Sequence, residues 1–172
     1  MRYKCSICGA VHNDWPALTF DSPSNYNELT QEEKNDLASL NSDFCVISYP
    51  DQTDRFIRVV MFQKVIDHPE PLHYGVWASL SEASFSDYEA NFEDNAHLAT
   101  YFGYLCNNIP GYNGTLSIRS NVQQIKGNTR PELIPHADQM EHSFVRDYYI
   151  GISIQEAEKR IHRSIDTREM GA

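Results

Sequence analysis

Two cysteines separated by two residues and followed by glycine, Cys5-Ser6-Ile7-Cys8-Gly9, stand at the start of the chain. Two intervening residues let the backbone wrap a single ion between the thiolates, and the glycine permits the positive φ that such a turn needs. The chemistry is tetrahedral zinc binding, and Cys5 with Cys8 furnishes half of a site. His12, four residues after Cys8, is a candidate third ligand. No second Cys-x-x-Cys or His-x-x-x-His completes the tetrahedron, so the fourth ligand has to come from a distant segment. His142 is preferred there, because Cys45 sits in an apolar run and Cys106 among aromatics, where small thiols are commonly buried. The expected cofactor is one structural zinc ion joining the opening knuckle to the C-terminal helices; the competing reading is a pair of reduced thiols without a metal.

Other constellations carry less. A thioredoxin-like use of Cys5 and Cys8 would place them between a strand and a helix of a βαβ unit, which this pattern does not offer. His68-Pro69-Glu70-Pro71-Leu72-His73 groups two histidines and a carboxylate, but its two prolines suit a solvated connection. Asp87 and Glu89 fall on the side of a helix opposite Phe85, Tyr88 and Phe92 and read as solvation. There is no phosphate-cradling glycine loop, no nucleophile elbow and no His-Glu-x-x-His pattern, so no catalytic residue is assigned and the protein is expected not to be an enzyme.

Composition narrows the function classes. With 14 basic and 24 acidic residues the formal net charge is -10, a field that repels phosphate backbones and anionic lipid surfaces and attracts basic partners. The chain carries no apolar run of membrane-spanning length and no apolar signal sequence at its start, so the expectation is a cytoplasmic protein with reduced cysteines. Its 172 residues, 12% of them aromatic, suffice for one domain over 1–172, with a knuckle-like opening at 1–12 and a flexible tail at 167–172.

The elements that must hold these residues follow from pattern. Thr30 and Glu33 form a capping box that starts a first helix. Phe44 to Ile47 and Phe56 to Ile66 are β-rich and flank the turn Pro50-Asp51-Gln52-Thr53, which predicts a hairpin, and Leu72 to Leu80 is a third strand. Ser79 with Glu82 reads as the cap of a helix over about 81–94. Tyr101 to Asn108 is ambiguous, Thr115 to Ile125 is extended, and Asn128-Thr129-Arg130-Pro131 reads as a closing turn. Helices are expected from Asp138 to Tyr149 and from Ser153 onward, the latter with Ile154, Ala157, Ile161 and Ile165 on one face. The resulting fold class is α+β, a mostly antiparallel sheet with helices on one face, in which Trp77 and Phe85 are core residues.

Cys5-x-x-Cys8-Gly9-x-x-His12, Ser42-Asp43-Phe44-Cys45-Val46-Ile47, Phe56-Ile57-Arg58, Gly75-Val76-Trp77-x-Ser79-Leu80-Ser81, Tyr101-Phe102-Gly103-x-Leu105, Ile109-Pro110-x-Tyr112, Arg130-Pro131 and His142 occur in this order. Through them the chain resembles the bacterial family known as domain of unknown function 2199. The resemblance implies a small bacterial protein and transfers no catalytic residues. It favours His142 as the distal ligand, although Ser143-Phe144 here replaces the Pro-Leu that usually follows that histidine. The function expected is protein binding or inhibition of an immunity type, directed at a basic partner such as a toxin. The alternative is an enzyme whose site is assembled from scattered residues.

Overall fold

The computed structural model describes residues 3–4, 9, 11–12, 15–126 and 129–170. Strands β1 (Tyr3–Lys4) and β2 (Val11–His12) form an antiparallel hairpin. After them come β3 (Leu18–Thr19), α1 (Ser24–Asn27), α2 (Gln31–Leu37), β4 (Ala38–Leu40), β5 (Phe44–Ser48), β6 (Thr53–Gln63), β7 (Leu72–Leu80) and α3 (Glu82–Ala90). β8 (Thr100–Leu105), β9 (Arg119–Ile125), β10 (Thr129–Pro135), a 3-10 turn at Ala137–Gln139, α4 (Ser143–Ile150) and α5 (Ile154–Met170) complete the order.

Strands β6 to β10 follow one another as an up-and-down meander, each antiparallel to the last. The first and fifth then point the same way, and they join as a parallel pair with Glu132 opposite Val60. The sheet therefore closes into a five-stranded barrel, and β4, β5 and β3 extend it on the outside, β3 parallel to β7. Two findings here correct the expectation of a mostly antiparallel sheet with helices on one face. The sheet is mixed, because closing an odd-numbered meander requires one parallel contact. The helices serve two separate apolar cores rather than one face.

Alternation along the strands makes those cores. Ile57, Val59 and Met61 of β6, Leu72, Tyr74, Val76, Ala78 and Leu80 of β7, and Leu105, Val122 and Leu133 fill the barrel. Phe85 and Tyr88 of α3 join this core, with Phe44, opposite Ile57, packed edge-on against Phe85. Phe144 and Val145 of α4 and Ala157 and Ile161 of α5 join it too. The outward residues of the same strands, Phe56 and Trp77, make a second core with Cys45, Ile47 and Cys106, covered by Tyr26, Leu29 and Leu37 of the α1–α2 segment.

Several local details depart from the sequence reading. Ser81, not Ser79, caps α3, accepting from the Ser84 N–H, while Glu82 reaches across to Arg55 at 3.0 Å. Thr129 to Pro135 is a strand rather than a turn: its register with β9 shifts between Thr129 and Glu132, and Pro131 occupies that irregularity, where a missing N–H does least harm. The last helix runs to Met170. The Thr30 and Glu33 capping box is present as read, and the Ser153 hydroxyl accepts from Glu156 N–H at the start of α5. No helix of the described residues is long and apolar enough to cross a membrane.

Trp77 is the joint between the cores. It is fully buried, its indole N–H donates to the Phe20 carbonyl at 3.0 Å, and its backbone N–H donates to the side chain of Asn107 at 2.8 Å. On the next strand Gly103, opposite Leu80, sits where no larger residue fits, since a Cβ there would stand 2.7 Å from the Ser79 carbonyl oxygen. Trp77→Ala is expected to cost about 3 to 5 kcal/mol in chemical denaturation; an unchanged midpoint would contradict the two-core packing.

Candidate functional site

The opening hairpin places Tyr3 opposite His12 and Lys4 opposite Val11, the two strands flanking the Cys-x-x-Cys stretch in sequence. Gly9 adopts φ +71°, a left-handed conformation that favours glycine. Cys5 and Cys8, and the side chain of His12, lie outside the described residues. Among the described residues no group of three or more His, Cys, Asp or Glu is arranged to hold a metal ion. His142 caps α4: its Nδ1 accepts from the Phe144 N–H at 3.1 Å, which puts the ring proton on Nε2, and Nε2 donates to the carbonyls of Asn113 and Gly114 at 2.9 and 3.2 Å. Both ring nitrogens are thus engaged within the chain, and a metal would take the Nδ1 lone pair only by releasing Phe144.

The other two thiols are structural. Burial raises the Cys45 thiol to about 12 and the Cys106 thiol to about 11, so neither offers a thiolate at neutral pH. The His68 loop likewise has a packing role, with the imidazole stacked on Trp15 at 4.2 Å between ring centroids.

Three polar assemblies join residues far apart in the sequence. The first anchors α5 to the barrel. Arg160, almost wholly buried, donates to Glu156 at 2.9 Å, to Gln63 at 2.8 Å and to the hydroxyl of Tyr74 at 3.2 Å, and it also bonds Tyr112, whose ring lies under the guanidinium. Tyr112 in turn donates to Asp147 of α4 at 2.7 Å. A buried guanidinium so surrounded is held by desolvated partners, a network that stands or falls as a unit.

The second assembly lies beside α3. Asp87 accepts from the Tyr101 hydroxyl at 2.8 Å and pairs with His97 at 3.1 Å, and these two hydrogen bonds, Tyr101 first, hold its carboxyl below the usual range. Asp87 is therefore a shared acceptor and not merely solvating, as its helical position had suggested. Next to it a pocket of about 270 Å³ is lined by Asp43, Tyr88, His97 and Arg130. Burial pushes the Asp43 carboxyl up, but hydrogen bonds from Ser42 and Arg130 outweigh it and leave the group low.

The third is a cleft of about 480 Å³ on the barrel wall, bounded by Asp54 and Arg55 of β6, Ser79 to Ser81, Phe102 and Tyr104 of β8, and Ser117. Phe102 and Tyr104 point outward, 48% and 40% exposed, and meet edge-to-face at 5.1 Å. Sequence reasoning missed this platform because β8 was an ambiguous aromatic run; the alternation of Tyr101, Gly103 and Leu105 against Phe102 and Tyr104 is the period-2 signal that separates its two faces.

The thiol assignment has a direct check. In the folded state Cys45 and Cys106 are expected to resist alkylation at neutral pH and to react once the chain is unfolded by denaturant. A fast-reacting Cys45 or Cys106 in native protein would contradict the packing of the second core. Mapping the labelled peptides by mass separates Cys45 and Cys106 from Cys5 and Cys8.

Comparisons with known proteins bear on identity and not on activity. No curated protein and no solved structure matches the chain. One family model does, that of an uncharacterised protein conserved in bacteria, over residues 4–152, from the opening knuckle to the segment that leads into α5. The match spans most of the sequence and contains every element of the barrel, so the chain belongs to the bacterial family domain of unknown function 2199.

Proposed function

We propose that this is a non-catalytic protein-binding module, of inhibitory or immunity type, that receives a basic protein partner on the outer face of β8. The observation that carries the reading is the exposed Phe102 and Tyr104 pair at the rim of the 480 Å³ cleft. Aromatic side chains of this kind supply large contact area at small entropic cost and are enriched at protein interfaces. Negative charge lies close by: Asp54 lines the cleft, and Asp54, Glu33 and Glu28, after burial itself, raise the phenol of Tyr49. A net charge of -10 then steers a cationic surface toward the rim.

The enzyme alternative rests on the Asp87 and His97 pair beside the smaller pocket. It is the weaker reading, because the hydroxyl bonded to His97, that of Tyr101, is pushed upward by burial and by its bond to Asp87 and stays protonated. Cys5, Cys8 and His12 belong to this proposal as ligands of a structural zinc that closes the opening hairpin, with His142 as fourth ligand if it gives up its cap bond to Phe144.

Two experiments follow. Elemental analysis of protein purified without chelator should find about one zinc per chain, lost together with thermal stability in Cys5→Ser and Cys8→Ser; metal-free protein of full stability would remove the zinc from the account. For binding, a photo-crosslinking residue at position 102 should couple to a basic protein in the native bacterium. The association rate with that partner should fall as salt shrinks the Debye length to about 8 Å, and Phe102→Ala with Tyr104→Ala should abolish capture without lowering the melting temperature. Turnover of a small molecule that disappears in His97→Gln would support the enzyme reading instead.

A further inference from the structure

We propose that Arg58 and Arg130 form a binding site for a small oxyanion, a carboxylate or phosphate, on the outer face of the barrel where β5 gives way to β10 along the edge of β6. This site lies apart from the β8 platform and does not depend on the reading of that platform. Its geometry comes from strand register. Arg58 N–H donates to the Asp43 carbonyl at 2.9 Å, which ends the β5 pairing, and two residues later Val60 faces Glu132 of β10. Arg130, two residues before Glu132, comes up beside Arg58, close enough that its charge, after burial, makes Arg58 hold its proton less tightly.

The two guanidiniums are not equally provided for. Arg130 donates from Nε to Asp43 at 2.7 Å and approaches the Ser42 carbonyl at 3.5 Å, and the same Asp43 carboxylate accepts from the Ser42 hydroxyl at 2.7 Å. Arg58 makes no side-chain hydrogen bond and no ion pair among the described residues, and its Nε is shut off from solvent without a partner. What holds it is packing: the guanidinium carbon lies 5.9 Å from the centre of the Trp77 ring, and a Cβ at Gly75 would stand 3.7 Å from its Nη2. Asp21, whose charge favours the protonated Arg58, is exposed and makes no ion pair with it.

A guanidinium presents five N–H donors in a planar fork, and it is ordinarily half-buried only when carboxylates or carbonyls receive them. Here the fork lies over Trp77, and Asp43, whose charge reaches both arginines, takes its arginine hydrogen bond from Arg130 alone, which leaves Arg58 rich in donors without a side-chain acceptor. An oxyanion bridging Arg58 and Arg130 would supply the missing acceptors and relieve the repulsion between the two cations. The surrounding negative field would keep polyanions away and restrict the site to small ligands.

The test follows the arginine Nε–Hε resonances of the full chain by NMR while inorganic phosphate or acetate is titrated at constant ionic strength. Saturable shifts of the Arg58 and Arg130 signals are expected in at least one of the two titrations. Saturation by phosphate alone assigns a phosphate ligand, and by acetate alone a carboxylate. Arg58→Gln should abolish saturation, and Arg58→Lys, which keeps the charge and loses the fork, should weaken affinity about tenfold. Thermal melts of both variants show that the fold is retained. No saturable shift at Arg58 with either anion, or the same binding curve in folded Arg58→Gln, would overturn the proposal.

Discussion

Closure of the barrel by the parallel contact between β6 and β10 is the constraint on which the remaining structure depends. Five strands in sequence cannot close antiparallel throughout, so β10 must return alongside β6 in the same direction. Once it does, the meander has no free edge in the closed part, and one set of alternating side chains is sealed inside. The edge of β6 is shared, with β5 on its first half and β10 on its second. That division creates the junction where Asp43, Arg58 and Arg130 meet.

Sealing the interior leaves the outward residues of β6 and β7 to be covered separately, and the α1–α2 segment covers them. β7 is consequently buried on both faces from Tyr74 to Ala78, with Trp77 outward and Val76 inward. The same logic places the helices. α5 is tied to the barrel through Arg160 on Gln63 and Tyr74, while α3 lies against Phe44, opposite Ile57 near the other end of β6. Packing leaves Phe102 and Tyr104 on the outer face of β8 exposed.

Much of this was legible in local pattern. The β5 to β7 strands, the core roles of Trp77 and Phe85, the Thr30 cap and the helical face of Ala157 and Ile161 follow from periodicity and capping chemistry alone. What escaped is non-local. Arg130-Pro131 carries the same turn chemistry whether it ends a sheet or sits in a bulge of a closing strand, and only the contact with Val60 decides between them. Arg160 looks like any cation on a helix until Gln63, Tyr74 and Tyr112 are brought around it from three other segments. Ser79 and Ser81 are equally good caps on paper; the strand pairing of Ser79 with Tyr104 leaves Ser81 as the first residue free to cap. Cys5 and Cys8 lie outside the described residues, and of the histidines read with them His142 serves as the cap of α4.

The account makes the barrel one cooperative unit, with β10 as integral to it as β6 and β7. Native-state hydrogen exchange measures this directly. The amides of Leu133 and Ile134 in β10 should exchange only through the same global opening that releases Val59 in β6 and Val76 in β7, with a common free energy and a common denaturant dependence. A separate low-energy opening of β10, while β6 to β9 stay protected, would mean that the sheet is open in solution and would contradict closure as the organising constraint.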